Sequence, residues 1–151
     1  MTDPTSLPNF APPPDEHPLR GRVLDVLLDA GLEPDIDDDG DVAFKVNGQT
    51  MFVRCMEGDF TIMRVFGQWQ IGEDIPQDEL AQLRACNDLT LRLNVVKAGL
   101  ANGTLVVTGE HVVGPGSDIS VLLQVTIQLV LSAVQMWHES LTGGGEPGGE
   151  A

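Results

Sequence analysis

Basic residues are scarce in this sequence of 151 residues, in which 8 Lys and Arg stand against 23 Asp and Glu, giving a formal net charge of −15. Nucleic acids and anionic membranes attract basic protein surfaces. The composition therefore argues against both as partners and favours a basic or uncharged one. The length fits one domain that is large enough to form a hydrophobic core without disulfides or metal.

Cysteine is also rare. The sequence has two cysteines, Cys55 and Cys86, which form neither a CxxC pair nor a metal-ligand spacing. Free cysteines are among the most buried residue types, so we expect reduced, buried thiols and no metal site. The N-terminus has no basic segment followed by an apolar run, so no secretory signal is expected. These features predict a cytoplasmic protein.

Catalytic motifs are missing from the sequence. It contains no G-x-S-x-G, GxxxxGK[ST] or H-E-x-x-H motif and no glycine-rich strand-to-helix fingerprint. The three histidines, His17, His111 and His138, fall in separate segments. Titratable side chains become catalytic as members of an arranged group. We therefore expect a protein that is not an enzyme, with no catalytic residues and no cofactor.

The segment from Ile119 to Trp137 contains no charged residue and is predicted to form a long final helix, capped by Ser117 or Asp118. Its polar residues follow one stripe at helical spacing: Ser120, Gln124, Gln128, Ser132, Gln135 and Glu139. The rest of the circumference is apolar and much wider than the ~100° stripe that packing on one core requires. Such a helix needs a sheet on one side and a second helix or a second subunit on another. A membrane span is disfavoured because the glutamines and serines are grouped on one stripe.

Two Asn-Gly pairs predict tight β-hairpins, because both central positions of a type I′ turn need positive φ. The turn at Asn47-Gly48 gives the pairs Val46–Gln49, Phe44–Met51 and Val42–Val53, with Cys55 on the same core face. The turn at Asn102-Gly103 gives the pairs Ala101–Thr104, Leu100–Leu105, Ala98–Val107 and Val96–Gly109. A third strand follows the turn at residues 57–59, which is predicted to set Cys55 opposite Phe60. This register places Phe60, Ile62 and Phe66 in the core and Phe52, Met63 and Val65 on the reverse face.

Two further helices complete the predicted element order. The first spans about 19–30 and ends at Gly31. The second runs from Pro76 to about Leu89, with Leu80, Leu83 and Asn87 on its inner side. The fold class is therefore α+β, with the order α-βββ-α-ββ-α and a five-stranded antiparallel sheet that carries its helices mainly on one face. We expect residues 1–18 to be a disordered Pro-rich arm, 19–142 to be the domain and 143–151 to be a flexible Gly-rich acidic tail.

An acidic run after the first helix resembles part of a calcium-binding loop. Asp35, Asp37, Asp39 and Gly40 match positions 1, 3, 5 and 6 of such a loop. Position 12, which needs a bidentate carboxylate, is Val46, and a strand follows where a helix is required. A solvated helix-to-strand turn is the preferred interpretation, with a calcium site as the alternative.

Several features of the sequence together resemble the YbjN domain family. They are the element order, the segment Asp39–Phe44, the segment Ile71–Pro76 leading into a helix with Leu80, Leu83 and Asn87, and the hairpin at Asn102-Gly103. The resemblance covers about 19–141. This family is described as candidate bacterial sensory transduction regulators, and its fold is similar to that of type III secretion chaperones. The resemblance implies a cytoplasmic, non-enzymatic, protein-binding or regulatory module that is often dimeric.

The resulting hypothesis is a homodimeric, chaperone-like or regulatory adaptor that binds another polypeptide, and not nucleic acid or membrane. The alternative is a sensory domain that binds a small molecule or calcium. Surfaces too apolar for a monomer predict the protein interface. Its candidate residues are Phe52, Met63, Val65, Leu122, Leu129, Ala133, Met136 and Trp137.

Overall fold

The computed structural model of this chain describes residues 18–143, which form three helices and six strands. The elements are α1 (Pro18–Asp29), β1 (Asp35–Ile36), β2 (Val42–Val46), β3 (Gln49–Glu57), β4 (Thr61–Gln70), α2 (Glu79–Arg92), β5 (Val96–Ala101), β6 (Thr104–Val112) and α3 (Ile119–Thr142). The predicted α+β class and helix order are confirmed. Apart from Pro18 and Gly143, the predicted arm and tail lie outside the described residues.

All strand pairs are antiparallel, and the sheet has the order β1-β2-β3-β4-β6-β5. Both predicted hairpins and their registers are confirmed. Asn47 and Gly48 have φ values of 53° and 79°, as a type I′ turn requires. The prediction of five strands is corrected to six. The backbone N–H of Asp37 donates to the carbonyl of Asp41 at 2.9 Å, which folds the acidic loop back so that β1 pairs with β2.

The predicted register between β3 and β4 is wrong. Cys55 lies opposite Met63 instead of Phe60. Because the shift is an odd number of residues, it exchanges the two faces of β4. Met63 and Val65 are fully buried in the core, while Phe60 is 68% exposed in the turn. The physical reason is that β3 continues to Glu57, so the turn occupies 58–60.

The helices cover one face of the sheet. α1 packs on β2 and β3, α3 crosses β4, β6 and β5, and α2 lies beside β5 and against α3. The carboxylate of Asp118 caps α3 by accepting from the Val121 N–H at 3.1 Å, and Gly143 ends the helix with a φ of 80°. We call the other face of the sheet, which carries Phe52, Arg54, Arg64 and Phe66, the outer face.

The predicted inner side of α2 is also wrong. Leu80 and Leu83 are 55% and 44% exposed, and Asn87 is exposed as well. The buried residues of α2 are Gln82, Ala85, Cys86 and Leu89. This helix has apolar residues on two sides, and its smaller side chains face inward because α2 packs closely against both β5 and α3.

Within residues 18–143, α3 is the one helix that is long and apolar enough to cross a membrane by length and composition. Core helices of soluble proteins meet the same criterion. Eight residues of α3, including Leu123, Val130 and Trp137, are buried within this chain. Val121 and Val125 lie on its uncovered side and are 54% and 50% exposed. The wide apolar circumference of α3 is therefore only partly covered by the described residues.

Candidate functional site

The eight candidate interface residues do not lie on one surface. Met63, Val65, Ala133 and Trp137 are completely buried and belong to the core. Leu122, Leu129 and Met136 are partly buried along α3, and Phe52 is partly buried on the outer face. The placement of Met63 and Val65 on the reverse face was wrong because of the β4 register.

The open edge of β5 is a feature that the sequence did not reveal. In the described sheet β5 pairs with β6 alone. Ala101 and Thr104 flank a two-residue turn and form a hydrogen-bonded pair, and such pairs alternate along an antiparallel ladder. The N–H and C=O of Leu100 consequently point away from β6, toward the open edge. The N–H of Ala98 points the same way and donates to Thr90 Oγ1 at 3.1 Å.

A shallow groove, which we call the β5 groove, runs beside this edge. It is lined by Thr90, Lys97, Ala98, Gly99, Leu100, Ala101, Val106 and Thr108. Most of its surface is apolar. The Thr108 hydroxyl is buried without a hydrogen-bond partner among the described residues. An additional Cβ at Gly99 would contact nothing within 4 Å, so there is open space above this position.

An ion-pair network lies next to the groove on the outer face. The Glu110 carboxylate accepts hydrogen bonds from Arg64 Nε and from Lys97 Nζ, the latter at 3.0 Å. Burial opposes ionisation of Glu110, but the hydrogen bonds from Lys97 and Arg64 outweigh it and lower the pKa below the ordinary value of 4.5. The Lys97 side chain remains 60% exposed and can still meet a second carboxylate.

The lowered pKa of Glu110 predicts a pH-dependent contribution to stability. A carboxylate with a lower pKa in the folded state stabilises the fold at pH values above its unfolded pKa, and this stabilisation is lost as the pH falls through the folded pKa. Glu110→Gln should cost roughly 0.5–1 kcal/mol at neutral pH and little in acid. Urea unfolding at several pH values measures this difference. Glu139→Gln, which alters an exposed carboxylate, is the control, and equal pH dependence in both variants would contradict the prediction.

The acidic loop contains carboxylate oxygens of Asp37, Asp39 and Asp41 within 4.8 Å of one another. Arg54 donates to both oxygens of Asp41, at 2.9 and 2.8 Å. Asp37 Oδ1 accepts from the backbone N–H groups of Asp39 and Asp41 at 2.9 and 3.0 Å. These hydrogen bonds explain why the three carboxylates lie close together, as parts of a structural turn. Calcium binding by this loop stays a prediction.

The two cysteines lie in apolar surroundings. Burial raises the pKa of Cys55 to about 12 and raises the pKa of Cys86 as well. Because the thiolate is the reactive form, both thiols are poor nucleophiles at neutral pH. His111 contacts Thr126 and His138 contacts the Val134 carbonyl, so these two histidines belong to separate structural contacts.

Comparison with known proteins identifies the family. The profile of the family TY-Chap1, described as "T3SS (YopN, CesT) and YbjN peptide-binding chaperone 1", matches residues 17–140. This chain belongs to the TY-Chap1 family. The resemblance to the YbjN domain is thereby confirmed, and membership in a family of peptide-binding chaperones supports a protein-binding module. A search of curated proteins found no match.

Two solved structures have a fold similar to that of this chain. The crystal structure of YbjN from E. coli has 11% sequence identity and a TM-score of 0.56, covering 80% of this chain and 89% of that one. An uncharacterized protein from Methanothermobacter thermautotrophicus has 11% identity and a TM-score of 0.58, covering 81% of this chain and 98% of that one. At this identity the similarity concerns the fold alone.

Proposed function

We propose that this chain is a non-enzymatic peptide-binding module that acts in the cytoplasm as a homodimeric, chaperone-like or regulatory adaptor. Its client is another polypeptide. The observation that carries the proposal is the apolar β5 groove beside an open strand edge. Exposed sheet edges offer unpaired main-chain groups to an incoming extended segment.

The contacts along β5 limit where such a segment can pair. The N–H of Ala98 already donates to Thr90, so the N–H available for main-chain pairing with a client is that of Leu100. Alternate client side chains would rest on Gly99 and Val106, where the groove is apolar. The exposed Lys97 ammonium supplies a polar contact at the other end. The preferred client segment is therefore extended and apolar, with a carboxylate near one end.

The proposal is tested by selecting peptides from a random library displayed on phage and measuring their affinity by fluorescence anisotropy. Gly99→Glu places a charged side chain in the groove, and the open space at this position allows the fold to accept it. We expect this variant to weaken binding by at least about tenfold, because the Glu side chain would fill the apolar space that a client needs and would have to be desolvated when the client binds.

Gly58→Glu is the matched control. Gly58 also has open space for a side chain, but it lies in the β3–β4 turn. The control should bind the selected peptides like the unmodified protein. Equal affinities of the two variants, or failure to select any peptide against the folded protein, would contradict the proposal.

A further inference from the structure

We propose that the outer face of the sheet binds an acidic polypeptide segment, one carboxylate of which lies between Arg54 and Arg64 with an apolar side chain on either side. The surface, which we call the arginine site, consists of Phe52, Arg54, Ile62, Arg64, Phe66 and Val112. It shares no residue with the β5 groove. The inference therefore goes beyond the proposed function and can fail independently of it.

Basic residues are concentrated on the outer face. Along β2 to β6 this face carries four of the 8 Lys and Arg residues of the chain, which are Lys45, Arg54, Arg64 and Lys97. The acidic residue of these strands on the same face is Glu110, while Asp35 and Asp41 lie at the β1 edge. The whole chain has a net charge of −15, so this face is a local exception. Charge complementarity therefore favours an acidic partner here.

Arg54 and Arg64 lie directly opposite each other on β3 and β4. Like charges in this arrangement destabilise a sheet unless carboxylates compensate them. Asp41 accepts from Nε and Nη2 of Arg54, and Glu110, on the far side of Arg64, accepts from its Nε. In the hydrogen bonds among residues 18–143, Nη1 of Arg54 and both Nη atoms of Arg64 are unused.

The two guanidinium groups can accept a further carboxylate between them. Their side chains are 41% and 33% exposed, so a ligand can reach the unused N–H groups. A carboxylate in this position would accept charge-assisted hydrogen bonds from both Arg54 and Arg64. It would also relieve the repulsion between the two positive charges.

Apolar side chains lie on both sides of this carboxylate position. Residues two positions apart on a strand face the same side, roughly 6.5 Å apart, so Ile62 and Phe66 flank Arg64 along β4. Val112 lies opposite Ile62 on β6 and is 68% exposed. An extended partner segment has the same spacing. The preferred segment therefore has an acidic residue with apolar residues two positions before and after it.

The aromatic pair favours a polypeptide over single-stranded nucleic acid. Phe52 and Phe66 stack on each other with ring centroids 5.3 Å apart, and the Arg54 guanidinium lies 5.3 Å from the Phe66 centroid. Single-stranded nucleic acids bind by stacking bases on free aromatic rings. Phe52 and Arg54 already cover part of the Phe66 ring that a base would need. Apolar side chains of a polypeptide can pack on this surface without a free ring face.

The test uses a labelled synthetic peptide made of repeats of Leu-Ser-Glu-Ser, with Leu-Ser-Gln-Ser repeats as the control peptide and fluorescence anisotropy as the measurement. The Glu peptide should bind at least about tenfold more tightly than the Gln peptide, and its affinity should fall with added salt. Arg64→Gln should weaken its binding at least about tenfold. Arg84→Gln, which removes the same charge from an exposed position on α2, is the matched control and should bind normally.

Val112→Glu is a second, independent variant. Its side chain is exposed, so the fold should accept the substitution, and the new carboxylate should repel the Glu peptide and weaken binding at least about tenfold. Unchanged far-ultraviolet circular dichroism shows that each variant is folded. If Arg64→Gln is unfolded, Val112→Glu decides the test.

Three results would overturn the inference. The first is equal affinity for the Glu and Gln peptides, or an equal effect of Arg64→Gln and Arg84→Gln. The second is tighter binding of oligouridylate or of phosphatidylglycerol vesicles than of the Glu peptide. The third is displacement of the Glu peptide by phage-selected peptides whose own binding is lost in Gly99→Glu, because those peptides occupy the β5 groove. Binding of both kinds of peptide at once is the expected result.

Discussion

Replacing Trp137 by alanine is expected to lower the free energy of unfolding by about 3–5 kcal/mol, because the substitution leaves a large cavity in the core. The Trp137 side chain is completely buried. Its indole Nε1 donates to the Gln82 carbonyl at 3.2 Å, which joins α3 to α2. The substitution therefore removes both packing and a buried hydrogen bond between the two helices.

Denaturant unfolding followed by circular dichroism measures this loss. Trp137→Phe retains most of the volume but not the N–H donor, so it should cost less than Trp137→Ala. Gln128→Ala, on the exposed side of α3, is the control and should stay within about 0.5 kcal/mol of the unmodified protein. A loss below about 1 kcal/mol for Trp137→Ala would contradict the position of this residue at the α2–α3 contact.

Gly109→Ala is expected to destabilise the protein by about 1–3 kcal/mol, since it overpacks the contact between β6 and α3. A Cβ at Gly109 would lie 2.6 Å from Thr126 Cγ2. Thr126 is fully buried, and its hydroxyl donates to the Leu122 carbonyl and contacts His111 Nε2. The methyl group of Thr126 therefore has little room to move.

Thr126→Ser provides a specific rescue, because it deletes the obstructing methyl group and keeps the hydroxyl. In a double-mutant cycle, Gly109→Ala should cost less in the Thr126→Ser background than alone. Gly99→Ala is the matched control in the neighbouring strand, where a Cβ meets nothing within 4 Å, and should be nearly neutral. Additive costs of Gly109→Ala and Thr126→Ser would show that the close approach is absent.

Local turn chemistry explains which parts of the fold the sequence predicted correctly. Asn47-Gly48 and Asn102-Gly103 permit one short turn each, and each turn fixes the register of its hairpin. The β3–β4 turn has no such signal. The turn occupies residues 58–60, whereas the sequence predicted it at residues 57–59. β3 therefore extends further than predicted. The resulting odd shift moved Met63 and Val65 into the core.

The β5 groove could not be predicted because it depends on contacts between distant segments. β6 pairs with β4 on one side and β5 on the other, which makes β5 an edge strand. Nothing local in residues 96–101 specifies this order. The register of the Asn102-Gly103 hairpin sets Lys97 opposite Thr108. The apolar space between these residues and Thr90, however, follows from the position of α2.

The inner side of α2 was mispredicted for a different reason. Leu80 and Leu83 are more hydrophobic than Ala85 and Cys86, so the sequence pattern predicted that they face inward. The smaller side chains of Ala85 and Cys86, however, allow α2 to pack closely against β5 and α3. For α3, the uncharged segment correctly indicated both a long helix and incomplete cover. The incomplete cover of α3 is observed at Val121 and Val125, whose side chains are exposed.

Hydrogen exchange at the backbone amide of Leu100, with and without a phage-selected peptide, tests peptide binding at the open edge most directly. The free amide faces the edge and should exchange rapidly. A bound extended peptide should pair with it and slow its exchange by at least about tenfold, since exchange then requires opening of the new hydrogen bond. Unchanged exchange at Leu100, with protection confined to amides of α2 or α3, would contradict strand pairing along β5.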